Sequence, residues 1–174
     1  MIIKTERLIL RPMAESDLHT THAYANCPEN GAFIEFLPNE TLEDTGDFLR
    51  WAAAQWEKDD QKCFEFAIIA DEGHIGAASV NIEDDRAATA SMGWIVHKDF
   101  WGKGYATEAA KAVLGFAFDT LSMQKVVATC DYRNTPSKKV MEKIGMSLES
   151  SDSVRNYKDG DKNVQELTFS IYKK

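Results

Sequence analysis

The chain has 174 residues, of which 44% are hydrophobic and 28% charged, and it carries a formal net charge of -8 at pH 7. That length predicts one domain spanning 1–174, able to bury roughly 70% of its unfolded surface. The acidic balance argues against nucleic-acid binding by bulk electrostatics, and the lack of an apolar run near about 18 residues argues against a membrane span.

Residues 2–10 read as a first strand with Leu8 and Leu10 on one face. Helical segments follow at about 15–26 and 42–58. Thr41, Glu43 and Asp44 form a capping region before the second, whose apolar stripe is Phe48, Leu49, Ala52 and Trp56. Residues 63–70 and 73–82 predict a hairpin joined near Asp71-Glu72-Gly73, and 88–97 the next strand. Ala106, Ala109, Ala110, Val113, Leu114, Ala117 and Phe118 recur at helical spacing, so a long helix with one buried face follows. Lys125 to Cys130 is a short β-rich run ending at Asp131. Pro136 suits the first turn of another helix, with Val140, Met141 and Ile144 as its buried edge and Gly145 as its stop. Residues 146–155 and 163–172 close the chain as strands around a polar turn at Asp159-Gly160-Asp161. Elements in this mixed order predict an α/β fold with a mixed sheet and helices on both faces, and a parallel crossover from 88 to 131.

The start, Met1-Ile2-Ile3-Lys4-Thr5, lacks the basic region and long apolar stretch of a secretory leader, so a cytoplasmic setting is expected. Cys27, Cys63 and Cys130 show no paired metal-ligand spacing. They read as free thiols, and no metal is expected.

The richest chemistry lies where the strand 88–97 runs into the long helix, through His97-Lys98-Asp99-Phe100-Trp101-Gly102-Lys103-Gly104-Tyr105-Ala106-Thr107. A glycine-containing loop at a helix N-terminus presents free backbone N–H groups to an anion, above all to phosphate. Gly102 and Gly104 let a pyrophosphate approach the backbone, and Lys103 adds a mobile charge. A turn that binds nothing is one alternative. A dinucleotide fingerprint is another, but Thr107 stands at its third glycine, and Asp131 lies beyond the spacing expected of its acid. The phosphate-loop pattern ending in Lys-Ser/Thr is absent.

Val96 through Ala106 resembles the acetyl-coenzyme A motif of GCN5-related N-acetyltransferases (GNAT), with Gln/Arg-x-x-Gly-x-Gly/Ala falling on Trp101, Gly104 and Ala106. The wording Trp-Gly-Lys-Gly-Tyr-Ala-Thr-Glu-Ala is similar to the ribosomal-protein N-terminal acetyltransferase (RimJ/RimL-like) branch. Arg7-Leu8-Ile9-Leu10-Arg11-Pro12, followed by Asp17, resembles that branch's opening strand. Asn134-Thr135-Pro136-Ser137, continuing through Val140, Glu142-Lys143 and Gly145, resembles its second coenzyme motif. The likeness runs from about Thr5 to the C-terminus. It departs at Trp101, where many members have Gln or Arg, at Lys98 for Pro, at Met146 for Phe and at Ser150 for Gly.

The resemblance implies a mixed, mostly antiparallel sheet whose central parallel strands, ending near Val96 and Asp131, splay apart. The pantetheine arm of acetyl-CoA would occupy that wedge. Gly93, inside its strand, reads either as an opener of the wedge or as a packing glycine. The implied function is N-acetyl transfer from acetyl-CoA to a primary amine, at a protein N-terminus or on a small molecule, by direct transfer in a monomer or homodimer. The alternative is a catalytically silent acyl-CoA-binding module.

Cofactor contacts are then expected from Ile95, Val96, Trp101, Gly102, Lys103, Gly104, Tyr105, Ala106, Thr107, Asn134 and Ser137. A backbone N–H near Ile95 or Val96 would polarise the thioester carbonyl. Asn134 would contact the pantetheine amide, or serve as a helix-start residue. Ser137 would hydrogen-bond the leaving thiolate, or serve as a helix-start residue in its turn. Lys98, Lys103, Lys138 and Lys139 would offset the acidic chain locally. No Glu stands on the strand segment 90–94 where many members carry their general base. Glu35 is the catalytic candidate, with Asp131 and Glu166 as further acids that read as solvated. Phe33, Phe36, Trp51 and Trp56 are candidates for an acceptor pocket, or else core.

Overall fold

A computed structural model describes residues 1–158 and 160–174; Asp159, in the turn expected at 159–161, lies outside the described residues. The strands are β1 (Ile3–Lys4), β2 (Ile9–Pro12), β3 (Cys63–Ala70), β4 (Gly73–Asp84), β5 (Thr89–Val96), β6 (Lys125–Asp131), β7 (Ser147–Arg155) and β8 (Val164–Tyr172). The helices are α1 (Leu18–Ala25), α2 (Pro28–Gly31), α3 (Leu42–Gln55), α4 (Tyr105–Gly115) and α5 (Thr135–Lys143). Among the described residues the strands form one eight-stranded sheet in the order β1-β2-β3-β4-β5-β6-β8-β7. Its neighbours run antiparallel except β5 and β6, which run parallel.

Local chemistry explains where these elements differ from the expected ones. The strand expected over 2–10 breaks in two, because the Thr5 hydroxyl accepts the Leu8 N–H at 2.9 Å while the Thr5 N–H donates to the Leu8 carbonyl at 2.9 Å. A short polar side chain has here captured the backbone from the ladder. α2 was not expected; Pro28 opens it, with its backbone angle already set for a first helical position. α3 starts where the capping signal placed it. Thr41 Oγ1 accepts the Asp44 N–H at 3.1 Å, and Asp44 Oδ2 accepts the Thr41 N–H at 3.0 Å.

The sheet carries a core on each face. α4 buries Ala109, Ala110 and Val113 at 0% exposure against Phe66, Ile68, Val80 and Val126, and Met141 of α5 joins them. On the other face Tyr24 and Ala25 of α1 and Leu49 and Ala52 of α3 cover Ala67 and Ala77. The small side chains of those two strand positions leave room that larger ones would fill. Asp17, only 4% exposed, fixes the entry to α1. It accepts two hydrogen bonds from Arg11, at 2.6 and 2.8 Å, and one from the Ala14 N–H at 3.0 Å.

The sheet is opened at its middle. β5 and β6 pair only from Thr89–Lys125 to Ser91–Val127. Beyond that, β5 continues along β4 as far as Val96–Gly76, and β6 along β8 as far as Asp131–Glu166. The last five residues of β5 thus part from β6 and leave a wedge. Among the described residues no helix is long and apolar enough to cross a membrane.

Candidate active site

The wedge has one backbone wall and one side-chain wall. His97 N–H donates to the Ile75 carbonyl at 2.8 Å, which sets the alternation of the β4–β5 ladder. Residues 91, 93 and 95 turn their backbone groups toward β4, and residues 92, 94 and 96 turn theirs toward β6. The free edge therefore belongs to Trp94 and Val96, while Ile95 is tied to the ladder opposite Ala77. The Val96 carbonyl is already taken, by Asn30 Nδ2 at 2.7 Å and Trp101 Nε1 at 2.6 Å. On the opposite wall Asn134 and Ser137 open α5. Asn134 Oδ1 accepts the Ser137 N–H at 3.1 Å. Asn134 is thus the helix cap, and capping makes no demand on the Ser137 hydroxyl.

The loop from Trp101 to Thr107 leads from the end of the wedge into α4. Gly102 and Gly104 have φ of +77° and +84°, a left-handed conformation that other residues adopt only under strain. Gly104 is the N-cap, and its carbonyl accepts the Glu108 N–H at 3.1 Å. The N–H groups of Tyr105, Ala106 and Thr107, one turn earlier, have no partner within the helix. This cradle fits a pyrophosphate by its donor set. A brace holds it in shape. Glu108 accepts the Arg7 N–H at 2.8 Å, Arg7 Nε at 2.7 Å and the Thr5 hydroxyl at 2.6 Å. Arg7 Nη1 donates to the Lys103 carbonyl at 3.0 Å, and its guanidinium lies 4.8 Å over the Tyr105 ring.

Three of the four expected cations are tethered. Lys98 Nζ pairs with Glu29 at 2.7 Å and Lys103 Nζ with Glu72 at 3.3 Å. Lys138 Nζ donates to the Tyr132 carbonyl at 2.8 Å. Arg7 is a further cation beside the loop that residue-type reasoning did not single out.

The wedge opens without interruption into a chamber on the α1–α3 face. Together they make a cavity of about 560 Å³, lined among others by Gly93, Ile95, Asn134 and Ser137 and by Tyr24, Phe33, Phe48 and Glu65. Phe33 and Phe36 line it as anticipated. Trp56 does not: it packs edge-on to Phe64 and Phe66 in the core. Trp51 stacks on the outside of Phe48.

Two of the three expected acids are locked structural groups rather than solvated ones. Asp131 is 0% exposed. Burial works to raise its pKa, but the Arg133 guanidinium and the Tyr157 hydroxyl outweigh it and hold the carboxyl at about 2. Glu166 pairs with the buried Arg155 at 2.6 Å. Glu35 does line the chamber, and its Oε1 accepts the Asn156 N–H at 3.2 Å. With Arg155 Nη1 donating to the Phe33 carbonyl at 3.1 Å, it straps the 33–38 loop to the end of β7. Among the described residues no three His, Cys, Asp or Glu gather as a metal site.

Glu65 and Tyr24 were missed. Glu65 had a visible signal: it is a lone acid inside Phe64-Glu65-Phe66-Ala67-Ile68, on a strand with apolar residues on both faces. Tyr24 had none.

The family model of the acetyltransferase (GNAT) domain matches residues 7–147. The chain is 30% identical over 151 residues to YnaD of Bacillus subtilis (strain 168), described as an uncharacterized N-acetyltransferase, covering 86% of this chain and 84% of that one. A crystal structure of a GNAT-family acetyltransferase from Bacillus anthracis superposes with a TM-score of 0.83 at 30% identity, covering 99% and 98% of the two chains. RimL, the ribosomal L7/L12 α-N-protein acetyltransferase solved with coenzyme A, shares the fold at a TM-score of 0.86 and 18% identity, over 99% and 98% of the two chains.

Proposed function

Because the chain belongs to the GNAT family and is an acetyl-CoA-dependent N-acetyltransferase, we infer that residues 1–174 act as one domain that acetylates a primary amine. The acceptor is a protein N-terminus or a small-molecule amine, and transfer is direct. One observation carries this reading: the coenzyme wedge and the chamber are a single continuous cavity of about 560 Å³. A thioester in the wedge and an amine in the chamber would meet without an acyl-enzyme stage, so catalysis rests on proximity and orientation.

The parts then have distinct work. The first-turn N–H groups of α4 and the Gly102–Gly104 backbone hold the pyrophosphate. The backbone N–H groups of Trp94 and Val96 face the wedge and can pair with the pantetheine arm or polarise the thioester carbonyl. The Ser137 hydroxyl, not required for the cap, donates to the leaving sulfur. Apolar walls from Phe33, Phe36, Leu37 and Phe48 favour an acceptor with an apolar body next to its amine. Membership in an acetyltransferase family does not favour a silent binding module.

Mass spectrometry tests this reading. The protein is incubated with acetyl-CoA and a panel of peptides with free N-termini and apolar primary amines. A mass gain of one acetyl group on a primary amine is expected. Acetylation only of hydroxyl or thiol acceptors would contradict it.

A further inference from the structure

An ammonium ion must lose a proton before its nitrogen can attack a thioester, and the acids assigned so far are engaged. Asp131 is held by Arg133, Glu166 by Arg155, and Glu35 by Asn156. Glu65 differs. Phe64, Phe66 and Ile68 of β3 enter the larger core, so Glu65 and Ala67 face the chamber side. Glu65 stands opposite Ser79 of β4, and Ser79 opposite Gly93 of β5. The three make one lateral row across three strands, ending at the mouth of the wedge.

Neighbouring strands lie about 4.8 Å apart, so the row is roughly 10 Å long from backbone to backbone. The side chains of Glu65 and Ser79 stand off the same face of the sheet as the open space over Gly93, and Glu65, Ser79 and Gly93 line one cavity. A Cβ on Gly93 would lie 3.4 Å from Ser79 Oγ, so the glycine keeps this passage open and the hydroxyl stands at its midpoint. Tyr24 marks the same spot independently. It is 4% exposed and lines the chamber, and its hydroxyl and that of Thr21, one helical turn away and also lining the chamber, have no hydrogen-bond partner outside this pair among the described residues. Two buried hydroxyls on one wall of a chamber are polar groups that a ligand can complete.

Resting on the primary-amine reading, we propose that Glu65 is the general base of the transfer, taking a proton from the acceptor's ammonium directly or through one water at Ser79. The Glu65 carboxylate gains one proton. The freed nitrogen pair forms the C–N bond to the acetyl carbon, the C–S bond breaks, and the leaving thiolate takes the second proton of the nitrogen. The products are the amide and free coenzyme A, and Glu65 later returns its proton to solvent. Burial alone pushes the Glu65 carboxyl up to about 7, near the working pH of an efficient base. The other titratable and charged groups around it are Tyr24 from α1, Lys58 beyond α3, Cys63 on its own strand, Glu35 from the 33–38 loop and Arg155 from β7. Lys58 is held by Gln55 at 2.8 Å, and Glu35 and Arg155 by the contacts above.

Glu65→Gln tests the assignment with phenethylamine and 2,2,2-trifluoroethylamine as acceptors, followed by thiol release from acetyl-CoA across about pH 6 to 9. The wild-type kcat/KM on phenethylamine should rise through an apparent pKa near 7. The variant should lose that inflection and about 100-fold of rate at neutral pH. It should lose less on trifluoroethylamine, whose nitrogen is already neutral, and Glu65→Asp should recover part of the rate. Coenzyme A affinity should stay unchanged. A variant with the wild-type pH profile would overturn the proposal. Carbon-13 NMR of the carboxyl groups gives a reading independent of turnover. The resonance lost in Glu65→Gln should titrate near 7 in the wild type, and titration in the ordinary glutamate range would overturn the assignment. If neither amine nor any peptide with a free N-terminus is acetylated by the wild type, the primary-amine reading fails by itself, while the NMR titration still decides on Glu65. A merely structural Glu65 would show in stability. Its folded pKa lies above its unfolded value, so its burial costs nothing below the ordinary glutamate range, costs progressively more as the pH climbs from there to about 7, and costs a constant amount above that. Glu65→Gln should therefore match the wild type only in acid below the ordinary glutamate range and melt increasingly higher as the pH rises to about 7, with a constant gap above; a lower melting temperature at every pH would contradict the base assignment.

Discussion

The two ends of the cavity are built on different principles. The end proposed for the coenzyme is made largely of backbone: the free edge of β5, the positive-φ glycines at 102 and 104, and the first turn of α4. The end proposed for the acceptor is made of side chains drawn from α1, the 33–38 loop, α3, β3 and β4. A backbone site tolerates change in most side chains but none in chain conformation. A side-chain site depends on how distant elements are held, and single atoms decide what it accepts. The two ends should therefore fail differently when altered.

The largest effect is expected on the frame of the acceptor end. Asp17→Ala removes the buried acceptor of the Arg11 and Ala14 hydrogen bonds at the entry to α1 and should cost about 3 kcal/mol of unfolding free energy, read by chemical denaturation. Burial raises the Asp17 pKa but the Arg11 hydrogen bonds lower it by more, so the folded value lies below the unfolded one. The charge-dependent part of the stabilisation is thus present at neutral pH and disappears as the pH falls through the folded pKa. A gap between wild type and variant that does not narrow in strong acid would contradict this. In the folded variant coenzyme A affinity should hold while the acceptor KM rises.

Gly104→Val should do the reverse. A β-branched residue cannot sit easily at φ +84°, and a Cβ there lies 3.4 Å from the Arg7 guanidinium. Calorimetry should show coenzyme A affinity reduced by more than about 100-fold. Unchanged affinity in a folded variant would remove the loop from the coenzyme site.

Ser137→Ala probes the point where the two ends meet. Because Asn134 caps α5, removing the Ser137 hydroxyl should leave the unfolding midpoint nearly unchanged. The kcat should fall by about 100-fold, since a bond to the leaving sulfur strengthens as charge develops, and coenzyme affinity should change little. A normal kcat with a lowered midpoint would sink the catalytic role. The smallest effect is expected at Lys103. Its ammonium is tethered to Glu72 and partly exposed, so Lys103→Ala should weaken coenzyme binding by about 1 kcal/mol. Complete loss of binding would show that side-chain charge, not backbone, holds the pyrophosphate.

The same division explains what could be read before the fold was known. A site made of local backbone leaves a local trace, so Gly102, Gly104 and the stripe of α4 were legible, as were the α3 cap and the hairpin of β3 and β4. The splay of β5 from β6 came from family resemblance, because periodicity reports faces and not where a ladder stops. The acceptor end was largely illegible. Glu65 and Tyr24 are 41 residues apart in number and meet only after the sheet and α1 are assembled. Asp131 and Glu166 looked like solvated acids because Arg133, Tyr157 and Arg155, which lock them, are tertiary partners. Asn30 lay in a helix too short to show a period, yet it holds the Val96 carbonyl from 66 residues away.

Amide hydrogen exchange by NMR, with and without coenzyme A, tests the central claim most directly: coenzyme is held by backbone at one end of the cavity and acceptor by side chains at the other. Slowed exchange is expected at Trp94, Val96 and residues 102–107, with Tyr24 and Glu65 unaffected. Protection confined to α1 and β3, with the β5 edge and the loop exchanging freely, would contradict it.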